Sequence, residues 1–479
     1  MRFALALWSL TFSCFLQGAV AAQEPADALP TDSSRPNVLW IYVEDTNDWM
    51  SSYGDTLIET PNIDALAARG TRFTRAYMPA GVCSPTRSAI ITGMHQTSIG
   101  AHQHYSSVEV WRGIRSDTWD PNYLGVRTIP EIMHLARYYT FNKGKLHYNF
   151  VYDIEQMYDS QVGKMNFQGA EDGACWNGKA EGQPFFGQIQ MTGGKTRTGP
   201  VVDRSAVSVP PYYPDHPAIR EAIGHHYDTI LDLDREVGRI VAALERDGLL
   251  ESTVIVFFSD HGMSLMRHKQ FLYEGGIRVP CIIAGPGIPE GAVRDDIISG
   301  IDLSATTLAL AGISVPPHMQ GRDIFAKDYH RDYFVAARDR CDYTIDRIRA
   351  VVTDRYKYMR NFMTDRPYLQ PQYRDGRPEM EAIRELQAAG ELNPVQAAFA
   401  GPVRPAEELY DLVTDPHETR NLVHDPLHAQ VLAEMREKLQ RWIIETDDQG
   451  RFPESDEALR AALKRWGDKA VNSEYERVR

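Results

Sequence analysis

Two stretches of this chain carry acids to the end of an apolar, β-forming run. Asn37-Val38-Leu39-Trp40-Ile41-Tyr42-Val43 stops at Glu44-Asp45-Thr46-Asn47-Asp48, and Thr253-Val254-Ile255-Val256-Phe257-Phe258 stops at Ser259-Asp260-His261-Gly262. Carboxylates are hard oxygen donors, so two such junctions converging in space can hold one divalent cation. Taken alone, acids at these places also serve only to solvate the start of a loop. Imidazole is an uncommon ligand for calcium, so His261 can instead hydrogen-bond a reacting group or another ligand. Lys145 and His147 stand two residues apart, which would place them on one face of a strand. Cys83 opens the run Cys83-Ser84-Pro85-Thr86-Arg87-Ser88. Without other support that run reads as a free cysteine in an exposed turn.

The Cys-x-Pro-x-Arg core at Cys83, followed by Thr92-Gly93, resembles the signature of type I sulfatases. The resemblance covers nearly the whole mature chain in the expected order. It implies that Cys83 is oxidised before folding to formylglycine by a maturation enzyme. The hydrated aldehyde offers two hydroxyls on one carbon: one attacks sulfur, and the other expels sulfate by re-forming the aldehyde. It also implies one calcium ion, with Glu44, Asp45, Asp260, His261 and the converted Cys83 as its ligand set. Glu44 stands where the family normally has aspartate, and its longer arm must fold back to keep that geometry. Arg87, which cannot easily lose its charge, would lower the cost of ionising a geminal hydroxyl.

Gly144-Lys145-Leu146-His147 resembles the family's Gly-Lys-x-His. The match implies that Lys145 lies over the sulfate or the nucleophile as a fixed positive charge, and that His147 takes the proton from the second hydroxyl. Lys269, ahead of Tyr273-Glu274-Gly275-Gly276, is expected to bind sulfate and help protonate the leaving group. His268 is a neighbour able to share that acid role. Relatives carry a substrate-facing histidine after a Pro-Phe-Phe strand. Here Pro184-Phe185-Phe186 leads to Thr192-Gly193-Gly194-Lys195, so Lys195 is expected to supply the missing charge to substrate. His95, His102 and His104, with Gln96 and Gln103, can line a saccharide subsite, or they are interior packing polarity. The tail, Glu408-Leu409-Tyr410-Asp411 through Asp415-Pro416-His417-Glu418 to Arg441-Trp442 and Asp447-Asp448, is most similar to heparan N-sulfatases (sulfamidases). The implied activity is hydrolysis of sulfate from a sulfated saccharide. A sulfamidase proper, a phosphonate or phosphodiester hydrolase, and a sulfated-glycan-binding protein with unmodified Cys83 stay open. A cysteine hydrolase is disfavoured because no His-Asn partner pattern accompanies Cys83.

Positioning these residues requires a particular scaffold. Apolar runs ending in acids read as buried parallel strands with ligands at their carboxyl edge. Thr60 to Ala67 reads as a capped helix, Tyr227 to Leu244 as a long surface helix, and Val279 to Ile283 as a third strand. Strands alternating with helices predict an α/β fold with a large, doubly wound, mainly parallel sheet over residues 35–325, alkaline-phosphatase-like by resemblance. Residues 326–479 are expected to form a smaller domain with an antiparallel sheet. In it, Ile348 to Met359 reads as two strands, 363–405 as irregular or partly helical, and Leu427 to Ile444 as an amphipathic helix.

The chain has 479 residues and a formal net charge of −14, which argues against a nucleic-acid binder. An anionic substrate must then be met by a local basic pocket. Arg2, the apolar core Phe3 to Leu16 and the small residues Ala19-Val20-Ala21-Ala22 read as a signal peptide over 1–22, and hence a periplasmic or secreted protein. Cys14 raises a lipoprotein alternative that Thr11-Phe12-Ser13 fits poorly. No later apolar stretch is long enough for stable membrane insertion. Cys83, Cys175, Cys281 and Cys341 are too few for a disulfide scaffold.

Overall fold

The computed structural model describes residues 35–105, 126–167 and 175–479, so the signal segment, Cys14 included, lies outside the described residues. The strands of the first sheet are β1 (Asn37–Val43), β2 (Gly70–Tyr77), β3 (Tyr139–Lys143), β4 (Ser160–Val162), β5 (Phe185–Met191), β6 (Thr253–Ser259), β7 (Arg278–Ala284), β8 (Ala292–Arg294) and β9 (Ile298–Ser299). Their order is β4-β3-β5-β1-β6-β7-β2-β8, with β9 also on β2. All pairings are parallel except those of β7, which runs antiparallel to both β6 and β2. The cause lies in the connection. Residues 260–277 contain only the one-turn helix Glu274–Ile277 and no crossover back to the sheet's other edge, so the next strand must run in reverse.

β1 shows why its run is apolar throughout. Leu39, Ile41 and Val43 enter one core with Ile219, Ile223 and Ile230 of the helix Pro217–Arg246. Val38, Trp40 and Tyr42 enter the opposite core with Ile90, Ile129 and Leu303 of helices Cys83–Thr92, Ile129–Leu135 and Asp302–Leu310. Both faces are covered, as period-two alternation in a buried parallel strand demands. Trp40 packs edge-on to Phe186 and Phe258, at 5.2 and 5.6 Å, and its indole N–H donates to Thr307 Oγ1 at 3.0 Å. Truncating it would cost about 3–5 kcal/mol.

One helix boundary and one helix cap depart from the sequence reading. The long helix begins ten residues before Tyr227, at Pro217, because proline is pre-set for the first helical position and His216 Nδ1 accepts from the Ala218 N–H. Its apolar face is buried. The helix Pro61–Ala68 is not capped by Thr60, whose hydroxyl turns to Ser51 and Asp64. Asp234 of the long helix instead accepts from the N–H groups of Asn62 and Ile63, at 3.0 and 2.8 Å.

The second sheet is antiparallel, in the order β10 (Phe334–Arg338), β11 (Ile348–Val352), β12 (Tyr356–Asn361), β13 (Glu407–Asp411). The helix Ala429–Glu445 covers one face through Leu432, Met435, Leu439 and Trp442. The other face, with Phe334, Ala336, Ala350 and Met359, joins the same apolar core as β1. At that seam the buried Lys357 pairs with Glu274 at 2.8 Å and Glu418 at 2.9 Å.

Candidate active site

β1 and β6 are parallel and in register, Val43 opposite Ser259, so their acidic ends emerge side by side. The Asp260 N–H donates to the Val43 carbonyl at 2.9 Å, and the Asp45 N–H donates to Asp260 Oδ1 at 3.1 Å. Asp45 is held at φ 50°, a strained left-handed conformation for a residue with a Cβ. Cys83 is the first residue of the helix Cys83–Thr92, whose ten residues are all buried. The exposed-turn reading of the cysteine is therefore wrong: the segment packs beneath Gln270, whose N–H donates to the Gly81 carbonyl at 2.6 Å. The Cys83 sulfur, a carboxylate oxygen of Asp260 and a ring nitrogen of His261 lie within 4.8 Å of one another.

Four cations surround the three carboxylates. Arg87 donates to Glu44 and Asp260, each at 3.2 Å, and lies 4.2 Å over the Tyr42 ring. Lys269 Nζ binds both oxygens of Asp45, at 2.8 and 2.7 Å. Lys145 and Lys195 both pair with Glu44. The cluster thus holds one more formal positive charge than negative, the local basic pocket that an acidic protein needs to attract an anion. Burial alone would raise the Glu44 pKa, but Lys145, Lys195 and Arg87 bring it down to about 2. Burial likewise pushes the Cys83 thiol up, yet the charges of Lys145, Lys269 and Lys195 outweigh it and hold it well below its ordinary value. That sulfur stands where the oxygens of a converted side chain would be, so the same field would favour an ionised hydroxyl there.

Lys145 and His147 do not share a strand face. β3 ends at Lys143, Gly144 turns at φ 112°, and His147 sits at φ 60°, so both residues belong to a loop. A Cβ on residue 144 would lie 2.8 Å from Gln190, which explains the glycine. The loop still delivers both residues. His147 Nε2 donates to the Tyr105 carbonyl, leaving its buried Nδ1 with an unused lone pair. The His147 ring meets that of His104 edge-on at 5.5 Å. Burial keeps His104 neutral, and its Nδ1 bonds Ser84 Oγ at 3.0 Å.

Other expected residues lie elsewhere. His268 accepts from Asn47 Nδ2 at Nδ1 and bonds the Tyr212 hydroxyl through Nε2, and burial lowers its pKa to about 3, so the ring stays neutral and offers no acidic imidazolium proton to a leaving group. His102 bonds its neighbour Gln103 and lies toward Asp339 and Asp448 at the second sheet. His95 packs on Trp442 at 5.2 Å. Lys195 has the most exposed side chain of the four cations, and it reaches Asp45 at 3.4 Å as well as Glu44. Cys83, Cys281 and Cys341 are buried and not disulfide-bonded. Gln190, which accepts from Arg87 at 2.6 Å, was not expected. Its signal was the pair Gln188 and Gln190, alternating on one face of an otherwise apolar strand.

The residues present fit a hard divalent cation. His261 Nδ1 bonds the Gly262 carbonyl at 2.8 Å, and an oxygen can only accept, so Nδ1 carries a proton. Nε2 is buried without a hydrogen bond and lies 3.2 Å from Asp45 Oδ1 and 3.4 Å from Asp260 Oδ1. A lone pair aimed at two carboxylates is repulsive unless a proton or a cation lies between them, and three carboxylates make an oxygen-rich donor set. Glu44, Asp45, Asp260 and His261 are the residues that would hold the ion.

The cluster of cations and carboxylates thus lies at the carboxyl edge of a doubly covered, mainly parallel α/β sheet, the place where such sheets bind their ligands. The chain matches the Sulfatase family model over residues 36–313, and the model of the N-sulphoglucosamine sulphohydrolase C-terminal region over residues 261–389. It is 31% identical over 469 residues to an ulvan-active sulfatase of Formosa agariphila, covering 88% of this chain and 77% of that one. It is 25% identical over 482 residues to human N-sulphoglucosamine sulphohydrolase, covering 87% and 91%. A solved structure described as a 2-O GAG sulfatase superposes with a TM-score of 0.64 at 21% identity, covering 89% and 96%. The chain belongs to the sulfatase family and is a sulfuric ester hydrolase. Among the described residues no helix is long and apolar enough to cross a membrane.

Proposed function

We propose that this enzyme removes sulfate from a sulfated saccharide, using formylglycine formed from Cys83 by a maturation enzyme, and calcium held by Glu44, Asp45, Asp260 and His261. The observation that carries this reading is the meeting of Cys83 with the two acidic strand ends inside a ring of four cations. When present, formylglycine supplies a geminal diol as nucleophile, and the ion neutralises sulfate oxygens. Lys145 and Lys195, the more exposed cations, receive the sulfate, while Arg87 orients and stabilises the ionised nucleophile. His147 Nδ1 accepts the proton released when sulfate departs. Lys269 is the proton donor to the leaving group. His268, with both nitrogens engaged, takes no part, and Thr192, bonded to Asn166 and Thr196, does not replace the absent histidine.

The names of the relatives support a polysaccharide fragment as substrate, and the apolar leader supports export to the periplasm or outside. Purified, matured protein is incubated with N-, 2-O-, 3-O-, 4-O- and 6-O-sulfated saccharides, and with phosphate esters in parallel, and inorganic sulfate is measured. Sulfate release from at least one sugar, lost in Cys83→Ala with the melting temperature kept, is expected. Normal turnover in Cys83→Ala, or hydrolysis of phosphate esters alone, would overturn the reading.

A further inference from the structure

The roles given to Arg87, Lys145 and His147 need their positions fixed relative to one another, although they come from a helix and a loop far apart in sequence. Gln190, on β5, lies between them and is fully buried. Arg87 has donors only, so the Gln190 amide must turn its oxygen to Arg87 Nη1, at 2.6 Å. Its nitrogen then faces the other way and donates twice, to Asn142 Oδ1 at 2.9 Å and to Gln188 Oε1 at 3.1 Å. From there two arms diverge. Asn142 Nδ2 donates to the Gly144 carbonyl at 3.0 Å. Gln188 Nε2 donates to the Tyr158 hydroxyl at 2.9 Å, and that hydroxyl lies 3.2 Å from the Tyr148 hydroxyl. Gly144 and Tyr148 are the two ends of the loop that carries Lys145 and His147.

We infer that Gln190 is a positioning residue: its amide clamps the Arg87 guanidinium and both ends of the 144–148 loop into one arrangement. The amide cannot flip without placing an N–H against the guanidinium and a carbonyl oxygen against two acceptor oxygens. Its orientation is therefore over-determined, as a positioning element in a dry interior requires. The side chains of Gln188, Gln190, Asn142 and Tyr158 are all buried, so water is poorly placed to substitute for a lost partner. This inference rests on the proposed roles of Arg87, Lys145 and His147.

The test uses full-length matured enzyme, with formylglycine content measured by mass spectrometry of the residue-83 peptide so that kcat is expressed per converted site. Gln190→Met keeps length and volume but removes the amide. Asn142→Leu removes one arm and leaves the Arg87 contact. Expected results are a kcat at least about tenfold lower in Gln190→Met with KM within about twofold, a smaller loss in Asn142→Leu, and a double variant no slower than Gln190→Met. A purely stabilising role would lower the melting temperature and leave kcat per converted site unchanged, which would overturn the inference, as would additive losses. Should Gln190→Met fail to fold, Gln190→Glu serves. It keeps an oxygen on Arg87 but loses both donations, so a wild-type kcat in that variant has the same overturning force. A wild-type enzyme that releases no sulfate from any sugar would strike the proposed function instead.

Discussion

Gly194 offers a way to displace the site without deleting any of its charges. It follows β5 in the turn that carries Lys195, and its N–H donates to the Glu44 carbonyl at 2.9 Å. A Cβ at residue 194 would lie 2.2 Å from the Asp45 carbonyl oxygen, well inside contact distance. Either that carbonyl or the turn must yield. In the first case Asp45 moves, and in the second Lys195 moves. Relief needs a shift on the order of 1 Å, which for reacting groups costs about 100-fold in rate, or about 2.7 kcal/mol of transition-state stabilisation. Gly194→Ala is therefore expected to lose about two orders of magnitude in kcat in a sulfate-release assay. Gly199→Ala is the matched control: it is exposed, with nothing within 4 Å of the added methyl, and should behave as wild type. A Gly194→Ala enzyme within about twofold of wild type, with Gly199→Ala equal to both, would refute the claim that Asp45 and Lys195 must be held to sub-ångström tolerance.

Three further outcomes follow from the same geometry. Asp260→Ala should lose both bound metal, read by elemental analysis, and turnover; chelation of the wild type should mimic it and added calcium reverse it. Lys357→Met leaves Glu274 and Glu418 facing each other without their shared cation, so stability should fall by about 3–5 kcal/mol in denaturant titration. Hydrogen bonding from Arg436 and Tyr358 holds Glu407 down to about 2, below its ordinary 4.5. With the folded value depressed, its contribution is complete above pH 4.5 and disappears as pH falls toward 2. Because the pair is partly exposed, Glu407→Gln should cost about 1 kcal/mol at pH 7, and the difference from wild type should vanish near pH 2 in parallel melts.

Much of the site was legible because its signals are local. An apolar run that stops at two acids is visible in the chain, and so is a cysteine followed by proline and arginine. What escaped notice depends on contacts distant in sequence. Gln190 is informative only once β5 lies beside β3 and over Arg87. Whether His268 faced the site depended on Tyr212 and Asn47, 56 and 221 residues away. Lys145 and His147 looked like a strand pair because alternate spacing is the strand's own period, and only the left-handed turn at Gly144 breaks it. The reversal of β7 was hidden for a similar reason: direction is set by the connection, not by the strand's residues.

The seam between the two sheets has a consequence of its own. Arg374, from the far side of that seam, donates to the Lys269 carbonyl at 2.9 Å, and Cys341 accepts from Gln270 at 2.9 Å. The floor of the reaction chamber is thus leased from the C-terminal part of the chain. Cutting the polypeptide there would not give a leaner enzyme; it would strip the backing from the lysine that neutralises Asp45. Substitutions along this hidden joint become a means of retuning turnover from a distance, with every reacting group left untouched.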